Sequence, residues 1–395
     1  MPRTNTTDTY GSVARTLHWL TALLILTAIP LGLISNAMPY DTSEALAAKA
    51  ELFSLHKTIG VAAFFVASLR ILWALTQAHP APLHPDRRLE TIASQVVHWS
   101  LYLSLVAVPL SGWIHHAATT GFAPILWPFG QTLPFVPQSE PVASVAASLH
   151  FVFTKILVTA ILLHVLGALK HQLFDRDSTL ARMISGRGPV GLPATRQGRG
   201  PMLAALALYA AGTGLALALV APTAEPAPAK LAAAASGWKV TEGTLDFTAK
   251  QLGQDVTGSF ADWTAAINFD ETPIDGRNGD VTVTIATDSL TLGSVTAQAR
   301  TAEFFDTAAH PTASFAASIV PAETGYLAEG VLTLRGAPVP VALPFTLVVE
   351  GRTARMAGEV TLDRRAFGIG PSYPDEKTVG FPVVVSVRLT AERQD

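Results

Sequence analysis

Five apolar runs, near residues 16–37, 53–76, 93–116, 146–172 and 201–221, dominate the first half of the chain. Each is long enough to cross the roughly 30 Å hydrocarbon core of a bilayer as a helix. In that medium only structures that satisfy their own backbone hydrogen bonds persist. The runs therefore predict an all-α transmembrane bundle. The composition agrees, with 49% of the 395 residues hydrophobic and only 14% charged. The net charge of −3 gives no basic character and argues against a nucleic-acid partner. The chain has no cysteine, which excludes disulfides, thiolate zinc sites, cysteine-held iron–sulfur clusters and Cys-x-x-Cys-His attachment.

The first run has the outline of a secretion signal, with Arg3 and Arg15 ahead of it and Ser35-Asn36-Ala37 near its end. His18 and Trp19 open it, however, and comparable spans follow, so it reads as a retained first span. Arginine placement predicts the orientation. Arg3 and Arg15 precede span one; Arg70, Arg87 and Arg88 flank the connection from span two to span three; Arg176, Arg182, Arg187, Arg196 and Arg199 fill the connection from span four to span five. Residues 117–149 contain no Lys or Arg, and the loop after span one pairs Lys49 and Lys57 with Asp41, Glu44 and Glu51. The amino terminus is thus expected in the cytoplasm and the carboxyl half outside, which in a Gram-negative cell is the periplasm.

Beyond the Pro/Ala-rich spacer at 221–236 the texture changes to alternating segments such as TLDFTA, VTVTIAT, GVLTLRG and FPVVVSVRL, separated by turn signals such as DGRNGD. This pattern predicts an antiparallel β-barrel or sandwich with no substantial helix. Residues 1–185 read as a four-helix membrane domain. Residues 186–235 hold a cytoplasmic connection, a fifth, tethering helix at about 201–221 and the linker, and residues 236–395 form the β domain. The alternate apolar positions Leu245, Phe247, Phe315, Leu332, Leu334, Phe345 and Leu347 point inward, either filling a core or lining a cavity. No Ser-His-Asp set, carboxylate pair or metal cluster with usable spacing appears there.

Ionisable residues inside membrane spans are costly and usually functional. The run SLHFVFTKILVTAILLHVLGALKH carries His150, His164 and His171. The first two are fourteen residues apart, which places them on nearly one helix face and roughly 21 Å apart along the axis. Given the orientation above, His18 on span one lies at the depth of His164, and His56 on span two at the depth of His150. Two bis-histidine sites at two depths suit the axial ligation of two haem irons. A histidine proton relay is the competing reading. His79, His84, His115 and His116 read as loop residues.

The stretches RTLHWL, LHKTIG, HWSLYLSLVAVPLSGW and LLHVLGALKHQLFDRDSTLARMI resemble the bacterial cytochrome b561 family, four-helix membrane proteins with two b haems. The resemblance covers about the first 185 residues and places the family's ligands on His18, His56, His150 and His164. It implies an electron-transfer protein of the bacterial inner membrane. Some members are superoxide oxidases that take an electron from superoxide and reduce ubiquinone. Arg15 then becomes a candidate partner for a haem propionate, or a snorkelling positive residue. Lys57 becomes a candidate for an anionic substrate or a propionate, and His98 and His171 for a quinone near the inner haem. The phrases AEFFDTAAHPTASFAAS, GVLTLRGAPVPVALPF and MAGEVTLDRRAFGIG make residues 236–395 similar to the YceI family, exported lipocalin-like barrels that hold a polyisoprenoid or quinone-type chain. The combined expectation is a dihaem b-type oxidoreductase in the lipid bilayer, acting between a periplasmic donor and a quinone, with a tethered isoprenoid-binding barrel. An isoprenoid carrier merely anchored by the helices, or a cytochrome relaying electrons to the barrel ligand, are the alternatives.

Overall fold

The computed structural model describes every residue except 1, 8, 79, 81, 82, 85, 120, 121, 187–197, 221–230, 233–235, 294 and 395. Close backbone contacts divide the chain into two compact units. One comprises Met1–Ala37, Glu51–Thr119 and Pro124–Pro222; the other comprises Met38–Ala50, Thr120–Ala123 and Thr223–Asp395.

The first unit is helical. Helices α1 (Ser12–Ala37), α2 (Ser43–Leu75, in this unit from Glu51 onward), α3 (Arg88–Ala118), α4 (Glu140–Lys170) and α6 (Gly200–Val220) are long and apolar enough to span a membrane, and a short α5 (Thr179–Ile184) follows α4. Large apolar side chains such as Leu23, Leu26, Leu72 and Leu162 are exposed, as expected of a surface that meets lipid rather than water. Buried hydroxyls donate back into their own helices, Thr21 to the Leu17 carbonyl and Ser35 to that of Leu31, so neither hydroxyl is left unpaired.

Backbone packing within the bundle is uneven. Helices α3, α4 and α6 lie against one another around Val108, Val152, Phe153, Leu157, Tyr209 and Ala216, whereas α1 and α2 approach the others only at isolated points. The fifth spanning helix is therefore a packed member of the bundle. Its small residues Ala205, Gly212 and Ala216 are buried, and close approach of this kind is how helices associate in lipid. The Tyr209 hydroxyl shares a hydrogen bond with the Ser104 hydroxyl of α3.

The second unit is a closed antiparallel barrel. Eight strands form the ring in the order β1 (Trp238–Gln251), β3 (Trp263–Ile274), β4 (Arg277–Ala286), β6 (Thr312–Pro321), β7 (Tyr326–Leu334), β8 (Ala337–Glu350), β9 (Thr353–Asp363) and β10 (Val379–Arg393), and β10 closes onto β1. Strands β2 (Gln254–Phe260) and β5 (Leu290–Thr291) extend the sheet from β1. Closure removes the free edges that would otherwise invite aggregation. Three hairpins turn on two residues with left-handed backbone: Leu252-Gly253, Asp275-Gly276 and Arg335-Gly336. That conformation matches the twist of the strands it joins. In DGRNGD only Asp275 and Gly276 turn. Asn278 is buried within β4, where its amide donates to the carbonyls of Asp270 and Glu271 at 2.8 and 3.1 Å. A four-residue helix, Thr296–Ala299, and a neighbouring irregular stretch are additions to the all-strand expectation.

All seven inward positions expected from the alternation line a cavity of about 290 Å³, together with mostly apolar neighbours. One end is organised by buried Arg364. Its guanidinium donates to the carbonyls of Ile369, Gly370, Tyr373, Val379 and Gly380. Burial lowers the pKa of Arg364 from its ordinary value.

Candidate functional site

Four histidines of the helical unit meet in two pairs. His56 on α2 faces His150 on α4 with ring centroids 6.2 Å apart. His18 on α1 faces His164, also on α4, again at 6.2 Å. The sparse approach of α1 and α2 to the other helices leaves side chains, not backbones, to bridge these separations.

Hydrogen bonds fix two of the rings. His56 Nδ1 lies 2.8 Å from the Ala28 carbonyl, and His150 Nδ1 lies 2.9 Å from the Val108 carbonyl. A carbonyl can only accept, so Nδ1 carries the proton and Nε2 presents its lone pair. Glycines admit the same two rings. A β-carbon on Gly32 would fall 2.8 Å from His56 Cε1, and one on Gly112 would fall 2.9 Å from His150 Cε1. At the other level His18 Nδ1 is buried with no hydrogen-bond partner, and the His98 ring sits edge-on to His164 at 5.0 Å.

Around the His18–His164 pair, Arg15 is buried and donates to the Ile184 carbonyl at 2.9 Å, while the Trp19 indole donates to that of Met183 at 3.2 Å. Arg70 is a functional candidate that the sequence reading used only for orientation. It lies within α2, with its guanidinium 5.8 Å from the Tyr102 ring. The signal was available, because His56 to Arg70 repeats the fourteen-residue step from His150 to His164.

Near the other pair, Lys57 Nζ lies 3.3 Å from His116 Nδ1, and His116 Nε2 lies 2.9 Å from Gln131 Oε1. Thr58 accepts from the Leu126 amide at 2.8 Å, so residues 125–131 are tied to this end of α2 and α3. His115 and His116 belong to the last turn of α3, not to a loop, because the helix continues to Ala118; His115 Nδ1 reaches the Ala143 carbonyl at 3.0 Å. His171 is not brought to His98 and His164. It stacks on His84 and bonds Asp177 at the far end of α4. His84 does lie in the connection between α2 and α3; His79 falls outside the described residues.

A family model described as prokaryotic cytochrome b561 matches residues 9–186, and one described as a YceI-like domain matches residues 238–391. Cytochrome b561 homolog 2 of Escherichia coli (strain K12) is 30% identical over 185 residues, which are 47% of this chain and 95% of that protein. The chain belongs to the prokaryotic cytochrome b561 family. The probable superoxide oxidase CybB of Yersinia pestis is 26% identical over 176 residues, 44% of this chain and 95% of its own length. The crystal structure of Burkholderia cenocepacia BcnA aligns with 38% of this chain and 95% of its own at 27% identity, with a TM-score of 0.35. Membership makes this a multi-pass membrane protein, implies haem b and suggests electron transfer, and the YceI-like barrel suggests isoprenoid binding.

The cytochrome b561 domain has residues that fit haem b. With metal–imidazole bonds of about 2.0 Å and about 1.1 Å from nitrogen to ring centre, two imidazoles across one iron have centroids about 6.2 Å apart. Both pairs stand at that separation. Among the described residues the buried Nδ1 of His18 has no hydrogen-bond partner, and the bonds made by Nδ1 of His56 and His150 leave their Nε2 lone pairs as donors.

Proposed function

We propose that residues 1–185 form a dihaem b-type electron-transfer unit, with His18 and His164 holding one haem and His56 and His150 the other. The observation that carries this reading is the repetition of one imidazole separation, 6.2 Å, at two levels of the same helix bundle. Bound haem supplies reversible one-electron chemistry. The chain's own residues orient and insulate it. The Ala28 and Val108 carbonyls lock the tautomers of His56 and His150 and raise their basicity as ligands. Gly32 and Gly112 leave room for those rings, and exposed leucines keep the surroundings in lipid.

The arginine distribution supports a cytoplasmic amino terminus, with His18 and His164 near the cytoplasmic face of the inner membrane and His56, His150 and Lys57 near the periplasmic face. Electrons then pass between a periplasmic donor and a quinone. Similarity to a probable superoxide oxidase supports superoxide as that donor, and Lys57 places a cation where an anion would approach. His98, beside His164, is positioned for the quinone, with Arg15 and Arg70 as partners for carboxylates at that level. The periplasmic barrel holds a polyisoprenoid or quinone chain in its apolar cavity.

Dithionite-reduced minus oxidised spectra of the purified protein will show b-type bands, with two haems per chain. His164→Ala will lose one haem and quinone turnover, whereas a helical anchor would tolerate the change. A haem-replete preparation without b-type bands removes the redox reading. Oxidised protein that is not reduced by a superoxide pulse, and forms no quinol, removes the superoxide version alone.

A further inference from the structure

Beyond the end of α4 that carries His164, three side chains converge that the electron-transfer reading does not use. We infer that His84, His171 and Asp177 form a binding site for a divalent cation of the zinc class. Each offers one ligand atom, and those atoms all lie within 4.8 Å of one another.

Local backbone geometry brings them together. Helix α4 ends in a π-helical turn, His171–Asp175, and Arg176 follows in the left-handed region at φ 52°. The chain doubles back, so that the Asp177 amide donates to the His171 carbonyl at 3.2 Å. The Thr179 amide holds Asp177 Oδ1 at 2.8 Å. Oδ2 then faces both imidazoles, 2.7 Å from His171 Nδ1 and 3.0 Å from His84 Nε2. The two rings lie 6° from parallel with centroids 6.2 Å apart, one from the connection between α2 and α3 and the other from the end of α4.

Two imidazoles and a carboxylate suit zinc-class ions, whereas calcium and magnesium prefer shells of oxygen. Three protein ligands leave a fourth position for water or an external ligand. Tetrahedral zinc with bonds of about 2.1 Å sets its ligand atoms about 3.4 Å apart. The two distances to Asp177 Oδ2, 2.7 and 3.0 Å, must therefore lengthen by about 0.7 and about 0.4 Å, and His84 sits on a connecting segment rather than inside a helix. Metal uptake needs the lone pairs of His171 Nδ1 and His84 Nε2, the two nitrogens that now face Asp177. Nearby cations are already engaged: Arg87 and Lys170 each lie 3.0 Å from Asp175, and Lys170 lies 2.8 Å from Glu90. The overlapping trio Glu90, His171 and Asp175 is the weaker candidate, because both of its carboxylates are committed to those cations. A bound ion would clip the α2–α3 connection to the end of α4.

The test uses the full-length protein in detergent, stripped with a chelator and titrated with zinc chloride by calorimetry, with zinc and iron counted separately by mass spectrometry. One zinc per chain is expected, with no comparable binding of magnesium. Asp177→Asn and His84→Ala will each weaken the affinity at least about tenfold. His84→Gln lies on the connecting segment and can still donate to Asp177; it carries the test should either other variant fail to fold. Absence of stoichiometric zinc, or unchanged affinity in the folded variants, overturns the site. Zinc is counted apart from haem iron, so either outcome is independent of the electron-transfer reading.

Discussion

Replacing Gly112 by alanine puts a carbon 2.9 Å from both Cε1 and Nδ1 of His150. Carbon contacts settle near 3.5 Å, so the ring must retreat by about 0.6 Å. It is not free to do so, because Nδ1 is bonded to the Val108 carbonyl at 2.9 Å. Losing that bond costs about 1 kcal/mol, and overpacking a well-filled site costs about 1–3 kcal/mol. The sum, about 2–4 kcal/mol, is roughly a 30- to 700-fold loss of affinity for a haem at the proposed His56–His150 site. The same change makes the helix itself more favourable by up to about 1 kcal/mol. Gly112→Ala should therefore yield a folded, helical protein whose haem-to-chain ratio, measured as the pyridine haemochromogen, falls from two towards one. Retention of two haems in Gly112→Ala with wild-type affinity would show that the His150 ring does not need this space, and the packing argument fails with it.

In the barrel, Arg364→Met strands five carbonyls that now accept from one guanidinium. The expected cost is about 3–5 kcal/mol, or a fall of roughly 10 °C in the barrel's thermal midpoint followed by near-ultraviolet circular dichroism. Ala328 is buried on the cavity wall. Ala328→Trp should fill that space and remove co-purifying isoprenoid, read by mass spectrometry of extracted lipid, while leaving the haem spectrum unchanged.

The paired histidines were legible in the sequence because two independent periodicities converge on them. Helical spacing puts His150 and His164 on one face, and the alternation of span directions assigns His56 and His18 to the matching depths. The barrel's inward residues followed from simple alternation, and Leu245, Phe247 and Phe345 all line the cavity. What escaped depends on contacts between distant segments. Nothing in the text around Gly32 or Gly112 reveals that an imidazole from another helix fills the missing side chain. His171 shares the helical face of His164 in an ideal helix, but the π-helical turn and left-handed Arg176 redirect the chain, and Asp177 captures the ring. His115 and His116 lie in helix rather than loop because α3 continues through them to Ala117 and Ala118.

The uneven packing of the bundle has a consequence for how the two levels are held. His150 and His164 both stand on α4, which is braced against α3 and α6 by a core that includes Val108, Phe153 and Tyr209. Val108 is also the residue whose carbonyl orients His150. Helix α6 packs on the two helices that carry His150 and the Val108 carbonyl bonded to it, although it carries no histidine of its own. His18 and His56 stand instead on α1 and α2, which touch the remaining helices sparsely. A packed wall thus holds one imidazole of each pair, and the more sparsely packed helices carry the other. The buried Tyr209–Ser104 contact adds to that wall rather than to the cleft. The fifth span thus packs against the helix that carries both His150 and His164, which a tether alone would not require.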